Sequence, residues 1–211
     1  IDHIIEKIKL CLPVNHSKFQ IHEPTFDKKD INAVKKCIES TIVSTNGNYI
    51  DSFANKLKKI TGCKNILLTN SGTSALFLAL KTIEIDSCEV LLPSMTFVAT
   101  ANAVINANGI PNFVDSSDKS LNLCPIKLEE YLSMITIVKN KKCINKSTGR
   151  VIKALIVVHA YGNIVDLSAI KRIAKKYFLE VIEDGAGALG SFQNKKHIGI
   201  NNRMSILSFN G

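Results

Sequence analysis

At 211 residues the chain is long enough to bury one sizeable core, and its 45% hydrophobic content excludes an intrinsically disordered class. No apolar run reaches the about 18–20 residues that a membrane helix needs. The net charge of +9 suits either a phosphorylated small ligand or a plain lysine-rich surface. Its densest patches, 139–146 and 171–176, have no interleaved aromatics and no recognition motif, so neither nucleic acid nor a membrane is an expected partner.

The N-terminal run 1–13 is charged early and lacks a secretory pattern, so a cytoplasmic location is expected. The first residue is Ile1, which fits a processed or partial chain. Asp27 or Asp30 can cap a helix through about Ser40, with Ile31, Val34, Cys37 and Ile38 on one face. Residues 48–60 read as a second helix. A run of strand–helix units follows: strand 65–69 and helix 72–83, strand 89–92 and helix 96–108, strand 110–115 and short helix 126–132. The polar, lysine-rich stretch 139–150 reads as a surface loop or insertion. Strand 151–159, helix 166–177 and strand 179–183 come next, with strand-like pieces at 198–200 and 204–209.

Continuous apolar strands alternating with helices predict an α/β fold, a mostly parallel sheet covered by helices on both faces. Ligands of such sheets bind beyond the carboxyl ends of the strands. The six cysteines include no C-x-x-C pair and no histidine at zinc-finger spacing, so they are expected to be free thiols, with no metal.

Five short segments can carry chemistry. The turn Thr69-Asn70-Ser71-Gly72-Thr73-Ser74 joins a strand to a helix, where unpaired amides and the helix dipole favour a phosphate; an ordinary N-cap by Ser71 or Thr73 is the plainer reading. Glu183-Asp184 ends a strand, so the Asp184 carboxylate can reach a ligand or merely cap the next turn. Gly185-Ala186-Gly187-Ala188-Leu189-Gly190 matches G-x-G-x-x-G, but no acidic residue follows up to Gly211, and a dinucleotide is not expected. Phe97, within Pro93-Ser94-Met95-Thr96-Phe97-Val98-Ala99-Thr100, can be core or can stack on a flat ring. His159, in His159-Ala160-Tyr161-Gly162, reads first as a satisfied structural histidine, although it stands where a site would be.

Taken in order, these segments resemble the DegT/DnrJ/EryC1/StrS family of pyridoxal-phosphate (PLP) dependent sugar aminotransferases. Gly72-Thr73 resembles that family's phosphate-binding turn, Phe97 its ring-stacking aromatic, Asp184 the aspartate on the pyridine nitrogen, and Ser208-Phe209 its "S-F" pair, whose serine contacts the phosphate. His159 to Gly162 fits "H-x-Y-G", and Gly109, Pro111 and Asp115 fit a further stretch with the spacing one residue short. His22-Glu23-Pro24 and Val43-Ser44-Thr45-Asn46-Gly47 resemble the subgroup acting on 4-keto nucleotide sugars in legionaminic-acid-type pathways.

The resemblance implies a PLP-dependent aspartate-aminotransferase-like fold (type I), with 1–60 an N-terminal helical segment and 61–211 an incomplete PLP-binding large domain. It implies PLP held by Gly72, Thr73, Phe97, Asp184 and Ser208, with Asp184 and His159 as catalytic candidates. A nucleotide-sugar substrate, an amino-acid donor (glutamate) and a homodimeric partner follow from the same resemblance. Two departures stand out. Gly187 occupies a position that in the family often carries a side chain near the ring hydroxyl. The family's Schiff-base lysine falls five residues past Ser208, beyond Gly211, so the sequence reads as a fragment without its small domain. A histidine at that position implies a sugar dehydratase instead, and a lysine-less chain implies a non-catalytic binding paralogue.

Overall fold

The computed structural model describes residues 1–12, 24–200 and 202–209. It divides into two compact units, Ile1–Ser44 and Thr45–Asn210. The first contains α1 (Asp2–Leu10) and α2 (Lys28–Glu39), neither of which buries a residue. Asp27 caps α2 as the sequence predicts: its carboxylate accepts from the amides of Lys29 and Asp30, while Asp30 reaches back to the Asp27 amide. Nothing in the composition of 1–13 announced α1. His22 and Glu23, which carry part of the subgroup resemblance, lie outside the described residues.

The second unit begins with α3 (Asn48–Thr61) and continues through α4 (Gly72–Thr82), β1 (Glu89–Pro93), α5 (Val98–Asn106), β2 (Ile110–Val114) and α6 (Pro125–Ile135). Then come β3 (Thr136–Lys139), β4 (Lys142–Asn145), β5 (Val151–Val158), α7 (Leu167–Tyr177) and β6 (Glu180–Asp184). A two-residue hairpin, β7 (Phe192–Gln193) and β8 (Lys196–His197), precedes β9 (Met204–Ile206). Strands β2, β1, β5, β6 and β9 are parallel neighbours in that order, and the β3–β4 hairpin joins β5 antiparallel to complete a seven-stranded sheet.

The period-2 alternation of the strands splits the core into two layers. Val90, Leu92, Ala154, Ile156, Ile182 and Ile206 pack against α4 and α5 through Leu76, Leu80, Ala103 and Val104. Leu91, Leu155 and Val157 face the other way, onto Leu128 and Leu132 of α6 and Ile170, Ile173 and Tyr177 of α7. This is the doubly covered sheet that the continuous apolar strands predict.

Three sequence expectations are corrected. Residues 65–69 form no strand, since no ladder pairs with them among the described residues. Residues 198–200 also lie outside any strand, because Gly199 turns the chain at φ +85°. The stretch 139–150 is not simply a loop. Its first part closes a hairpin through Asn140 and Lys141, both left-handed (φ 51° and 58°), a turn whose twist matches antiparallel strands. Its lysines masked the alternation that buries Cys143 and Asn145.

The hairpin is tied to the sheet by Glu89, which is 3% exposed at the start of β1. Its carboxylate accepts from Thr148 Oγ1 at 2.6 Å, Asn145 Nδ2 at 2.9 Å and Asn112 Nδ2 at 2.8 Å. Tyr131 of α6 donates to Asn112 Oδ1, which extends the network. Burial pushes the Glu89 carboxyl up, but the hydrogen bonds from Thr148, Asn145 and Asn112 and the Arg150 charge outweigh it and hold it below the ordinary glutamate value. A carboxyl depressed in the folded state contributes stability above the unfolded pKa, about 4.3, and loses it as pH falls through the folded value. Glu89→Gln is therefore expected to lower Tm at pH 7, with the gap to wild type closing on acidification below about pH 4. Thermal melts across that range check it, and a gap that does not change with pH contradicts it.

Candidate functional site

At the carboxyl ends of β1, β6 and β9 lies a cavity of about 1190 Å³. Gly72, Thr73, Phe97, Asp184 and Ser208 all line it. Those are the five residues to which the resemblance gives cofactor contacts, and they come from four different segments of the chain.

The α4 end of the cavity is a helix N-terminus. Ser71 is the cap, its hydroxyl oxygen accepting from the Ser74 amide at 3.1 Å. The amides of Gly72 and Thr73 have no acceptor among the described residues, which is the usual state of the first turn of a helix. Ser208 lies directly against this turn. A Cβ added to Gly72 would stand 3.1 Å from Ser208 Cβ and 3.2 Å from its Oγ. Glycine at 72 therefore lets the serine hydroxyl approach the free amides, and the combination suits an anion.

Asp184 ends β6 on the α4–α5 side of the sheet, two residues beyond Ile182. It is 5% exposed. Thr100 donates to its Oδ2 at 2.9 Å, and the Ala186 amide donates to its Oδ1 at 3.1 Å. Burial raises its carboxyl above the usual aspartate range, and the Thr100 and Ala186 hydrogen bonds and the nearby His159 oppose that only in part. A positive charge placed in the cavity would favour the ionised form of this carboxyl. Phe97, at the foot of α5, is 76% exposed and lines the same space, with no aromatic partner among the described residues. Phe209 beside Ser208 packs edge-on against Phe53 of α3, with ring centroids 4.8 Å apart.

His159 is elsewhere. It is 1% exposed and faces the α6–α7 layer, one register step from Asp184. Its Nδ1 accepts from the Val165 amide at 3.3 Å, so the ring proton sits on Nε2, which donates to Glu183 Oε2 at 3.1 Å. Glu183 is fully buried and also accepts from the Gly199 amide at 2.8 Å and from Asn202 Nδ2. This cluster fastens Gly199 and Asn202, which line the cavity, to β5 and β6.

Asp115 is exposed after β2 and pairs with Lys127 at 2.6 Å. Around Gly187 a Cβ would meet nothing within 4 Å, so the missing side chain leaves open space. The G-x-G-x-x-G stretch is followed by turns and the β7–β8 hairpin, not by the helix that a dinucleotide site requires. Sequence reasoning gave no role to Thr100 or Glu183. The i, i+4 spacing of Thr96 and Thr100 was the available signal.

This is an α/β protein with an anion-favouring, carboxylate-bearing crevice at the ends of parallel strands. Residues 24–211 match the DegT/DnrJ/EryC1/StrS aminotransferase family, and the chain belongs to it. It is 33% identical over 192 residues to a GDP-perosamine synthase of Escherichia coli O157:H7, covering 90% of this chain and 48% of that one. It is 36% identical over 183 residues to the UDP-4-amino-4,6-dideoxy-N-acetyl-beta-L-altrosamine transaminase of Campylobacter jejuni, covering 87% and 45%. Among solved structures it superposes on Helicobacter pylori PseC, an aminotransferase involved in the biosynthesis of pseudoaminic acid. The TM-score is 0.75 at 26% identity, over 92% of this chain and 48% of that one. The chain thus spans about half the length of the curated relatives it matches.

Proposed function

We propose that the protein is a PLP-dependent aminotransferase that moves an amino group, from glutamate, onto the keto carbon of a nucleotide sugar for surface-polysaccharide synthesis. The observation that carries this reading is the convergence of Gly72, Thr73, Phe97, Asp184 and Ser208 on one cavity in a chain of this family. When bound, PLP supplies an electron sink that permits exchange of an amino group between an amino acid and a ketone.

The chain's own residues have separable tasks in this reading. The Gly72 and Thr73 amides and the Ser208 hydroxyl bind the phosphate. Phe97 covers one face of the ring and keeps water from it. Asp184 accepts from the protonated ring nitrogen, which supplies the positive charge that its burial calls for. His159 acts from behind, holding Glu183 and through it Gly199 and Asn202 of the cavity wall. A homodimer and a cytoplasmic location belong with this reading.

Gly72→Ala is expected to weaken PLP binding about tenfold, because the new methyl displaces Ser208 by a few tenths of an ångström. Binding of pyridoxal, which lacks the phosphate, should be unchanged. Equal losses for both compounds would remove the phosphate from this turn. The activity itself is tested by supplying the full-length protein with PLP, glutamate and GDP-, UDP- or dTDP-linked 4-keto sugars. Formation of an amino sugar with equimolar 2-oxoglutarate is the expected result. Loss of a sugar hydroxyl without amine incorporation would identify a dehydratase, and no turnover with PLP bound would contradict the aminotransferase reading.

A further inference from the structure

The cofactor reading leaves one buried contact of Asp184 unassigned. Thr100 sits in the first turn of α5, is 1% exposed, and directs its hydroxyl at Asp184 Oδ2 across 84 residues of sequence. A threonine in a helix commonly donates back to the carbonyl three or four residues earlier. Thr100 does not, and the residue four before it is Thr96, whose own hydroxyl donates to Thr100 Oγ1 at 2.8 Å. A hydroxyl has a single proton. With Thr96 donating to it, Thr100 Oγ1 is left to donate to the carboxylate, and the chain Thr96 to Thr100 to Asp184 has one direction.

We propose that Thr100, oriented by Thr96, is the positioning residue for Asp184, fixing Oδ2 as an acceptor so that the carboxylate meets a protonated pyridine nitrogen. The inference rests on the proposed cofactor site, but the contact belongs to the chain alone. The Thr100 donor favours the ionised carboxylate and counters burial, which favours the protonated one. A protonated Asp184 would offer a donor where an acceptor is needed.

Other titratable groups share the cavity with this carboxyl: Cys63, Lys64 and Arg203 line it. From β5 the nearby titratable group is His159, whose ring lies on the opposite face against Glu183. α5, β9 and the turn 185–191 contain none, and α4 has only Lys81, in its last turn. On the opposite face, α7 carries Lys171, Arg172, Lys175, Lys176 and Tyr177, with Asp166 at its cap, and Glu183 faces that layer from β6 itself.

The test uses three variants of the full-length protein, Thr100→Val, Thr100→Ser and Thr96→Val, with the Asp184 carboxyl titrated by carbon NMR before any PLP is added. Thr100→Val should raise the Asp184 pKa by about one unit, since a buried hydrogen bond to the charged form is lost. Thr100→Ser should restore the wild-type value, and Thr96→Val should produce a smaller rise, which keeps the proposal testable if the valine at 100 fails to fold. An unchanged titration in both valine variants, or no restoration by serine, overturns the proposal. The cofactor reading fails separately: if the shifts appear but wild type binds no PLP, Thr100 positions Asp184 for some other cation.

Discussion

On the proposed role, Asp184→Ala in the full-length protein is expected to lower turnover by roughly a hundred- to thousandfold, the cost of removing the acceptor for a protonated ring nitrogen. Its neighbours explain why nothing else would substitute. Asp184 is 5% exposed, and the groups that touch it, the Thr100 hydroxyl and the Ala186 amide, are donors. Neither can receive a ring proton. The isosteric Asp184→Asn separates this role from folding. A carboxyl whose pKa is raised by folding costs stability once pH exceeds its unfolded value, about 3.9, and the cost is complete above the folded value. At neutral pH the ligand-free Asn variant should therefore melt no lower than wild type while losing cofactor affinity. A parallel fall in Tm and affinity would make Asp184 a structural residue, and unchanged turnover in the Ala variant would refute its assigned role.

Glu183, the adjacent residue, is expected to behave in the opposite sense. Glu183→Ala should destabilise the protein by about 3–5 kcal/mol, the usual penalty for leaving buried partners of a carboxylate unpaired. Three donors lose their acceptor at once: His159 Nε2, the Gly199 amide and Asn202 Nδ2. Urea denaturation of the ligand-free protein measures the loss. A change below about 1 kcal/mol would mean that the cluster is far more solvated than its geometry indicates.

The sequence made the sheet legible because its central strands are rich in apolar residues and its helices carry amphipathic periods with caps at Asp27, Ser71 and Asp166. It hid whatever depends on partners. The apolar residues at 65–69 look like a strand, but a strand needs a ladder. The β3–β4 hairpin looks like a charged loop, since its lysines are on the solvent side of a register set by the Asn140–Lys141 turn. The cavity residues Gly72, Thr73, Phe97, Asp184 and Ser208 were legible only through motif order. Thr100 and Glu183 were not, because their roles arise from contacts that join segments 84 and 24 residues apart.

The most direct test of the central claim is an equilibrium titration of the dialysed full-length protein with PLP, followed by absorbance, beside the same titration of Asp184→Asn and of Gly72→Ala. The account predicts saturation at one PLP per chain in wild type, an altered band and weaker binding in the Asn variant, and about tenfold weaker binding with an unaltered band in the Ala variant. Non-saturable binding, or saturation indifferent to both substitutions, would contradict it.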